Sequence, residues 1–157
     1  MKTASLSAAL ALTLALSLSA QEEKKVAAGA AAVQKVVIHS KPGGLMKFEE
    51  TEIKVKAGQP VELTYKNPDI LQHNLLIVKP GCKAKVGALA DALLVNPKAM
   101  AMAFIPKSKD ILHHTKLINP GASETLKFTI KDPGDYPIMC TFPGHWRLMF
   151  ANLKVEK

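Results

Sequence analysis

The chain has 157 residues, 48% of them hydrophobic and 22% charged, with a formal net charge of +8. A chain of this length forms one domain that buries a core without cross-links, which excludes the small proteins that depend on disulfides. A basic surface suits nucleic acid, an anionic membrane or an acidic protein, but no predicted helix carries a concentrated basic face.

Residues 1–20 have the features of a secretory signal peptide. Lys2 precedes an apolar segment at 6–18, and a charged run at 21–25 follows it. A helix needs about 20 apolar residues to cross a bilayer, so we expect no permanent membrane anchor. Export places the protein in the periplasm if the cell has two membranes. It also argues against a nucleic-acid partner.

Two regions follow the predicted signal peptide. Residues 21–32 offer little that could form a buried face, and we expect a flexible linker there. Residues 33–157 are expected to form the folded domain.

Short segments of alternating apolar and polar residues recur along this domain. In one of them Val61, Leu63 and Tyr65 alternate with polar residues, as in a half-buried strand. Turns rich in Pro, Gly, Asn and Asp separate the segments. Strands are predicted at 33–39, 46–55, 61–67, 73–78, 113–118, 124–130, 136–140 and 151–155. Eight such strands predict an all-β Greek-key sandwich or barrel.

One region breaks the strand pattern. Leu89, Leu93 and Leu94, with alanines between them, follow helical spacing, and Asn96-Pro97 interrupts the run. We therefore predict a helical flap inserted near residues 86–102.

A metal-binding pattern lies near the carboxyl end. Cys140, His145 and Met149 fall in one ten-residue stretch, C-T-F-P-G-H-W-R-L-M, and His73 lies 67 positions before Cys140. The Pro-Gly pair inside the stretch predicts a tight turn that aims the Cys and His side chains at one point. A thiolate, two imidazoles and a thioether favour copper, because two His and one Cys with a long axial sulfur form blue-copper electron-transfer sites. We predict one type 1 copper ion.

The chain resembles the cupredoxins, or blue copper proteins, and within them the azurins and azurin-like auracyanins. The resemblance rests on three segments in the family's order: His73-Asn74, H-T-K-L-I at 114–118, and C-T-F-P-G-H at 140–145 followed by Leu148-Met149. It implies a protein that moves single electrons outside the cytoplasm as copper cycles between Cu(II) and Cu(I). An enzyme is not expected, since a copper oxidase needs a histidine beside the Cys, where Thr141 stands.

The resemblance also implies roles for the residues around the ligands. The Asn74 side chain is expected to hydrogen-bond to the loop at Thr141 and tie two ligand segments together. Backbone N–H groups near Asn74 and Phe142 are expected to point at the thiolate. Gln72 stands where azurins have a Gly whose carbonyl approaches copper. Since Gly reaches backbone angles that Gln avoids, we predict a site closer to four-coordinate.

A surface for partners is implied as well. In cupredoxins the carboxy-terminal histidine ligand, here His145, is the edge exposed to solvent and partners. An apolar collar lets a partner approach without stripping charges from water, and Phe142, Pro143, Ile70 and Leu71 are the candidates. The expected partners are redox proteins such as c-type cytochromes or a periplasmic oxidoreductase. An acidic partner would match the positive charge.

Two alternatives remain open from the sequence. Two cysteines in an exported chain suggest a disulfide between Cys82 and Cys140, but this bond would destroy the copper site, and we expect Cys82 to be a packed residue. A copper-delivery or storage protein would need exposed, exchangeable ligands, often in Met-rich or His-rich runs, and this sequence has none.

Overall fold

In a computed structural model that describes residues 32–157, the segments of alternating apolar and polar residues form eight strands. The predicted signal peptide at 1–20 and all but the last residue of the predicted linker at 21–32 lie outside the described residues. Between residues 32 and 157, no helix is long and apolar enough to cross a membrane. The strands are β1 Gln34–His39, β2 Glu52–Lys56, β3 Val61–Lys66, β4 Leu76–Val78, β5 Ile111–His114, β6 Ser123–Phe128, β7 Gly134–Met139 and β8 Phe150–Glu156.

The strands form two sheets. One has the order β1-β3-β6, and the other has the order β2-β8-β7-β4-β5. The β1–β3 and β2–β8 pairs are parallel, and the remaining pairs are antiparallel. Alternation along β3 buries Val61, Leu63 and Tyr65 against Ile138 and Leu153 of the other sheet in one core cluster. This two-layer arrangement confirms the predicted all-β sandwich of eight strands.

Some strand ends differ from the predictions. The predicted strand 46–55 is ordered as a strand only at Glu52–Lys56, because Met46 has a positive φ of 49° and Phe48 makes only an isolated bridge. The predicted strand 73–78 shortens to Leu76–Val78, and in place of the predicted strand 113–118 the structure has Ile111–His114, which begins and ends earlier. Next to the β4–β5 pair, the Thr115 hydroxyl accepts the Leu75 N–H, so the backbone hydrogen-bond ladder between these strands is interrupted at that point.

The helical flap was predicted near 86–102, and its helix α1, Lys83–Ala92, begins slightly earlier. One 3₁₀ turn, Leu93–Val95, follows it. The helix buries Val86, Gly87 and Ala90 against the domain. It ends before Asn96, which has extended backbone angles because a residue that precedes proline is disfavoured in the helical region.

Candidate metal centre

Three neighbouring strands bring the predicted ligands together. Cys140 directly follows β7, and Met149 directly precedes β8, its antiparallel neighbour. The Cys140 N–H donates to the Met149 carbonyl at 3.1 Å, which closes the loop between them. β4 lies on the other side of β7, and His73 stands just before β4. His73 is fixed by a bridge to Ile118, in which each N–H donates to the other residue's carbonyl.

The loop from Cys140 to Met149 turns tightly around His145. The His145 N–H donates to the Phe142 carbonyl at 3.0 Å, and the Met149 N–H donates to the His145 carbonyl at 2.8 Å. Gly144 has a positive φ of 81°, a conformation that side chains with a Cβ rarely adopt. The glycine therefore allows the turn that points His145 back at Cys140.

Three donor atoms surround one point in the interior. Cys140 Sγ lies 3.8 Å from His73 Nδ1 and 3.6 Å from His145 Nδ1, and the two nitrogens are 3.1 Å apart. The point equidistant from these atoms is about 2.0 Å from each, close to the metal–nitrogen bond lengths of about 2.0–2.1 Å in proteins. Cys140 and His73 are fully buried. The donor set therefore has the size and the chemistry of a metal site.

Burial keeps the two imidazoles neutral. It lowers the pKa of His145 to about 4, with the charge of His73 acting in the same direction and Asp69 opposing both. Burial also lowers the pKa of His73, although Asp69 opposes it. At neutral pH both rings can therefore offer a lone pair to a cation.

The thiol of Cys140 is held protonated until a cation arrives. Burial raises its pKa to about 12, while the backbone N–H groups of Asn74 and Phe142 lower it. Those N–H groups are the ones that sequence reasoning expected near the sulfur. Because a ligating Cys must be a thiolate, metal binding here releases a proton.

Asn74 connects the ligand segments. Its Oδ1 accepts the Thr141 N–H at 2.7 Å, and its Nδ2 donates to Thr141 Oγ1 at 3.0 Å. Nδ2 also donates to the Ala103 carbonyl at 2.8 Å. One buried side chain thus joins the His73 segment, the Cys140 loop and the flap.

Helix α1 supports the other end of the loop, a contact that sequence reasoning missed. The Trp146 indole N–H donates to Asp91 Oδ1 at 2.9 Å, and Arg147 Nη2 pairs with Asp91 Oδ2 at 2.8 Å. The indole also lies directly on Gly87, where an added Cβ would stand 2.4 Å from two ring carbons. Only glycine allows the helix to approach Trp146 so closely.

Asp69 is a further residue of the site that sequence reasoning missed. Its carboxylate accepts the His73 Nε2–H at 2.9 Å, and both side chains are fully buried. Burial raises the pKa of Asp69, but hydrogen bonds led by the Gly44 N–H and including His73 lower it further, so the net shift is downward. The only signal in the sequence was the turn Asn67-Pro68-Asp69, and acidic residues are common in turns for local reasons.

The remaining predicted residues lie around the centre. The Gln72 side chain donates to Asn119 Oδ1 at 2.6 Å, on the surface rather than towards the ligands. Ile70 is 73% exposed, while Leu71, Phe142 and Pro143 are half-buried.

One expectation about the surface was wrong. His145 was expected to be an exposed edge, but it is only 3% exposed. The Phe142 ring packs against it, with the two ring centroids 4.9 Å apart. An aromatic side chain of the same loop thus covers His145 and shields it from solvent. The disulfide alternative was also wrong, since Cys82 and Cys140 are both free.

Comparisons with known proteins agree with this geometry. A family model described as copper binding proteins, plastocyanin/azurin family, matches residues 34–156. Auracyanin-A of Chloroflexus aurantiacus is 35% identical over 117 residues, which cover 73% of this chain and 70% of that protein. The solved structure of auracyanin A, a "blue" copper protein, has a TM-score of 0.71 at 33% identity and covers 80% of this chain and 100% of its own. Reduced auracyanin from Roseiflexus castenholzii has a TM-score of 0.69 at 32% identity, with 81% and 99% covered. The chain therefore belongs to the plastocyanin/azurin family of copper-binding proteins, the cupredoxins, as its resemblance indicated.

Proposed function

We propose that this protein is an exported, periplasmic type 1 copper protein that carries single electrons between redox partners. Its ion would be held by His73, Cys140, His145 and Met149. The observation that carries the proposal is the buried triangle of Sγ and two Nδ1 atoms around one equidistant point. Membership of a blue copper family supports an electron carrier rather than an enzyme.

Copper in such a site supplies a one-electron couple, Cu(II)/Cu(I). The chain's own contribution is to hold the ligands still, since ligand movement between the two charge states would slow electron transfer. Cys140 and Met149 are hydrogen-bonded to each other through their backbones, and His73 is bridged to Ile118. Asn74 fixes Thr141, the residue next to Cys140. These bonds support a rigid, preorganised site.

Met149 would be the fourth residue to hold the ion. Its side chain is fully buried and lies in the same core cluster as Cys140. Its thioether would supply a weak, soft donor, which suits copper beside two imidazoles and a thiolate.

We propose that partners dock on the apolar collar of Phe142, Pro143, Ile70 and Leu71. Because Phe142 packs on His145, a partner seated on this ring would be one side chain away from a ligand. The apolar surface allows contact without stripping charges from water. The net charge of +8 supports acidic redox partners, such as c-type cytochromes or a periplasmic oxidoreductase, and we expect no nucleic-acid partner.

The test is addition of Cu(II) to the purified, metal-free protein. We expect an intense visible thiolate-to-copper band in the parent, its loss in Cys140→Ser and its weakening or loss in His73→Ala and His145→Ala. Cys82→Ser is the matched control, because Cys82 is the only other cysteine of the chain, and this variant should keep the band. A colourless parent that passes copper rapidly to a chelator would favour copper delivery or storage instead.

A further inference from the structure

We propose that Asp69 is a positioning residue for the copper centre. Its buried carboxylate holds the His73 ring with Nδ1 towards the other ligands, and its fixed negative charge favours the oxidised ion, which lowers the reduction potential. This inference rests on the proposed ligation of copper by His73.

The His73 imidazole uses its two nitrogens for different purposes. Nε2 lies 2.9 Å from Asp69 Oδ2, and Nδ1 lies 3.8 Å from Cys140 Sγ. A neutral imidazole carries one proton, and a carboxylate can only accept, so the proton is on Nε2. The lone pair of Nδ1 is then free to face the donor triangle. The contact fixes both the tautomer and the rotation of the ring.

Hydrogen bonds from several segments fix the position of Asp69. Its Oδ1 accepts the N–H groups of Gly44 at 2.7 Å and Ile70 at 2.8 Å. Its own N–H donates to Asn67 Oδ1 at 3.2 Å. Asn67 in turn donates to the carbonyl of Ile118, the residue that bridges His73. The carboxylate therefore cannot turn away from His73 without also losing its hydrogen bonds to Gly44 and Ile70.

The charge of Asp69 acts on the metal centre. Within residues 32–157, no lysine or arginine forms an ion pair with Asp69, and its partner His73 is neutral, so the charge is not neutralised. Counting Asp69 and the Cys140 thiolate, the centre is neutral with Cu(II) and carries one negative charge with Cu(I). An uncompensated charge in a buried site is costly, and salt screens it little. The oxidised state is therefore favoured.

The test is the reduction potential of copper-loaded Asp69→Asn. Asparagine keeps the size of the side chain and an oxygen for Gly44 and Ile70, but it removes both the charge and the acceptor of the His73 Nε2–H. We expect the visible band to remain and the Cu(II)/Cu(I) equilibrium to shift at least tenfold towards Cu(I), a rise of at least about 59 mV for one electron.

Asp110→Asn is the matched control. Asp110 is also buried, but it pairs with Lys79 and Lys85. It lies beside Lys79, six residues beyond His73 along the β4 segment, which is about 20 Å in an extended chain. We expect no change of potential in this variant. A coloured Asp69→Asn protein with the potential of the parent would overturn the proposal.

A second measurement applies even if Asp69→Asn does not fold. Nitrogen-15 NMR of the metal-free parent should show His73 protonated on Nε2, with a slowly exchanging proton, and a proton on Nδ1 instead would overturn the proposal. Failure of the proposed function would look different, because the parent would then lack the visible band or His73→Ala would keep it.

Discussion

The contact between helix α1 and Trp146 allows a strong test of how the ligand loop is held. In Gly87→Ala, the new Cβ would lie 2.4 Å from two carbons of the indole and 2.6 Å from a third. Ordinary carbon contacts begin near 3.5 Å, so the ring would have to move by roughly 1 Å. Trp146 directly follows His145, and its indole N–H is bonded to Asp91. The shift of the indole therefore moves the loop from Cys140 to Met149.

Opposing effects determine how much the free energy of unfolding changes in Gly87→Ala. Overpacking of this kind costs about 1–3 kcal/mol, and weakening the bond from the indole to Asp91 costs about 1 kcal/mol more. Alanine is the better helix former by about 1 kcal/mol, which offsets part of the loss. We therefore expect the free energy of unfolding to fall by about 1–3 kcal/mol.

The assay is guanidinium unfolding of the metal-free protein, followed by the visible spectrum after Cu(II) is added. Gly134→Ala is the control, because a Cβ there would meet its nearest atom at an ordinary 3.5 Å, so a change under about 1 kcal/mol is expected. The spectrum of Gly87→Ala should shift or weaken, while that of the control should match the parent. A Gly87→Ala protein as stable as the parent, with an unaltered spectrum, would refute the idea that α1 holds Trp146 in place.

Two further predictions concern Asn74 and His113. Asn74→Ala leaves the buried Thr141 N–H without an acceptor and should lower the free energy of unfolding by about 1–3 kcal/mol, whereas Asn152→Ala, which removes an exposed bond, should cost much less in the same denaturant series. Burial lowers the pKa of His113, so the unfolded chain takes up this proton at higher pH than the native protein. Stability should therefore fall as the pH drops below about 6.5. In His113→Phe that pH-dependent loss should be smaller, and an unchanged slope of unfolding free energy against pH would contradict it.

The fold could be predicted because the alternation of apolar and polar residues along a strand indicates which side chains are buried. Val61, Leu63 and Tyr65 alternate in the sequence, and all three are buried in β3. Strand ends were less accurate, since a ladder ends where its hydrogen bonds go elsewhere. Thr115 shows the reason: its hydroxyl takes the N–H of Leu75, and nothing in the local pattern marks that long-range contact.

The candidate site was predictable to the extent that its chemistry is local. Cys140 and His145 lie in one short loop, and the types and spacing of these residues indicated a metal. The cover of Phe142 over His145 and the bond from Asp69 to His73 depend on how distant segments pack. A sequence pattern does not carry the direction of a side chain, so neither contact could be read from it.

Two contacts, from Asp69 to His73 and from helix α1 to Trp146, support the ligand residues from separate parts of the fold. His73 is held by Asp69, which depends on the backbone of Gly44 in the segment before β2. The loop that carries His145 is held by α1 through Trp146. Asp69 places a charge beside His73, so removing that charge should change mainly the reduction potential. The contact between Gly87 and Trp146 is steric, so crowding it should change mainly the free energy of unfolding. The same fold can thus adjust how readily the centre accepts an electron without loosening the loop that keeps it rigid.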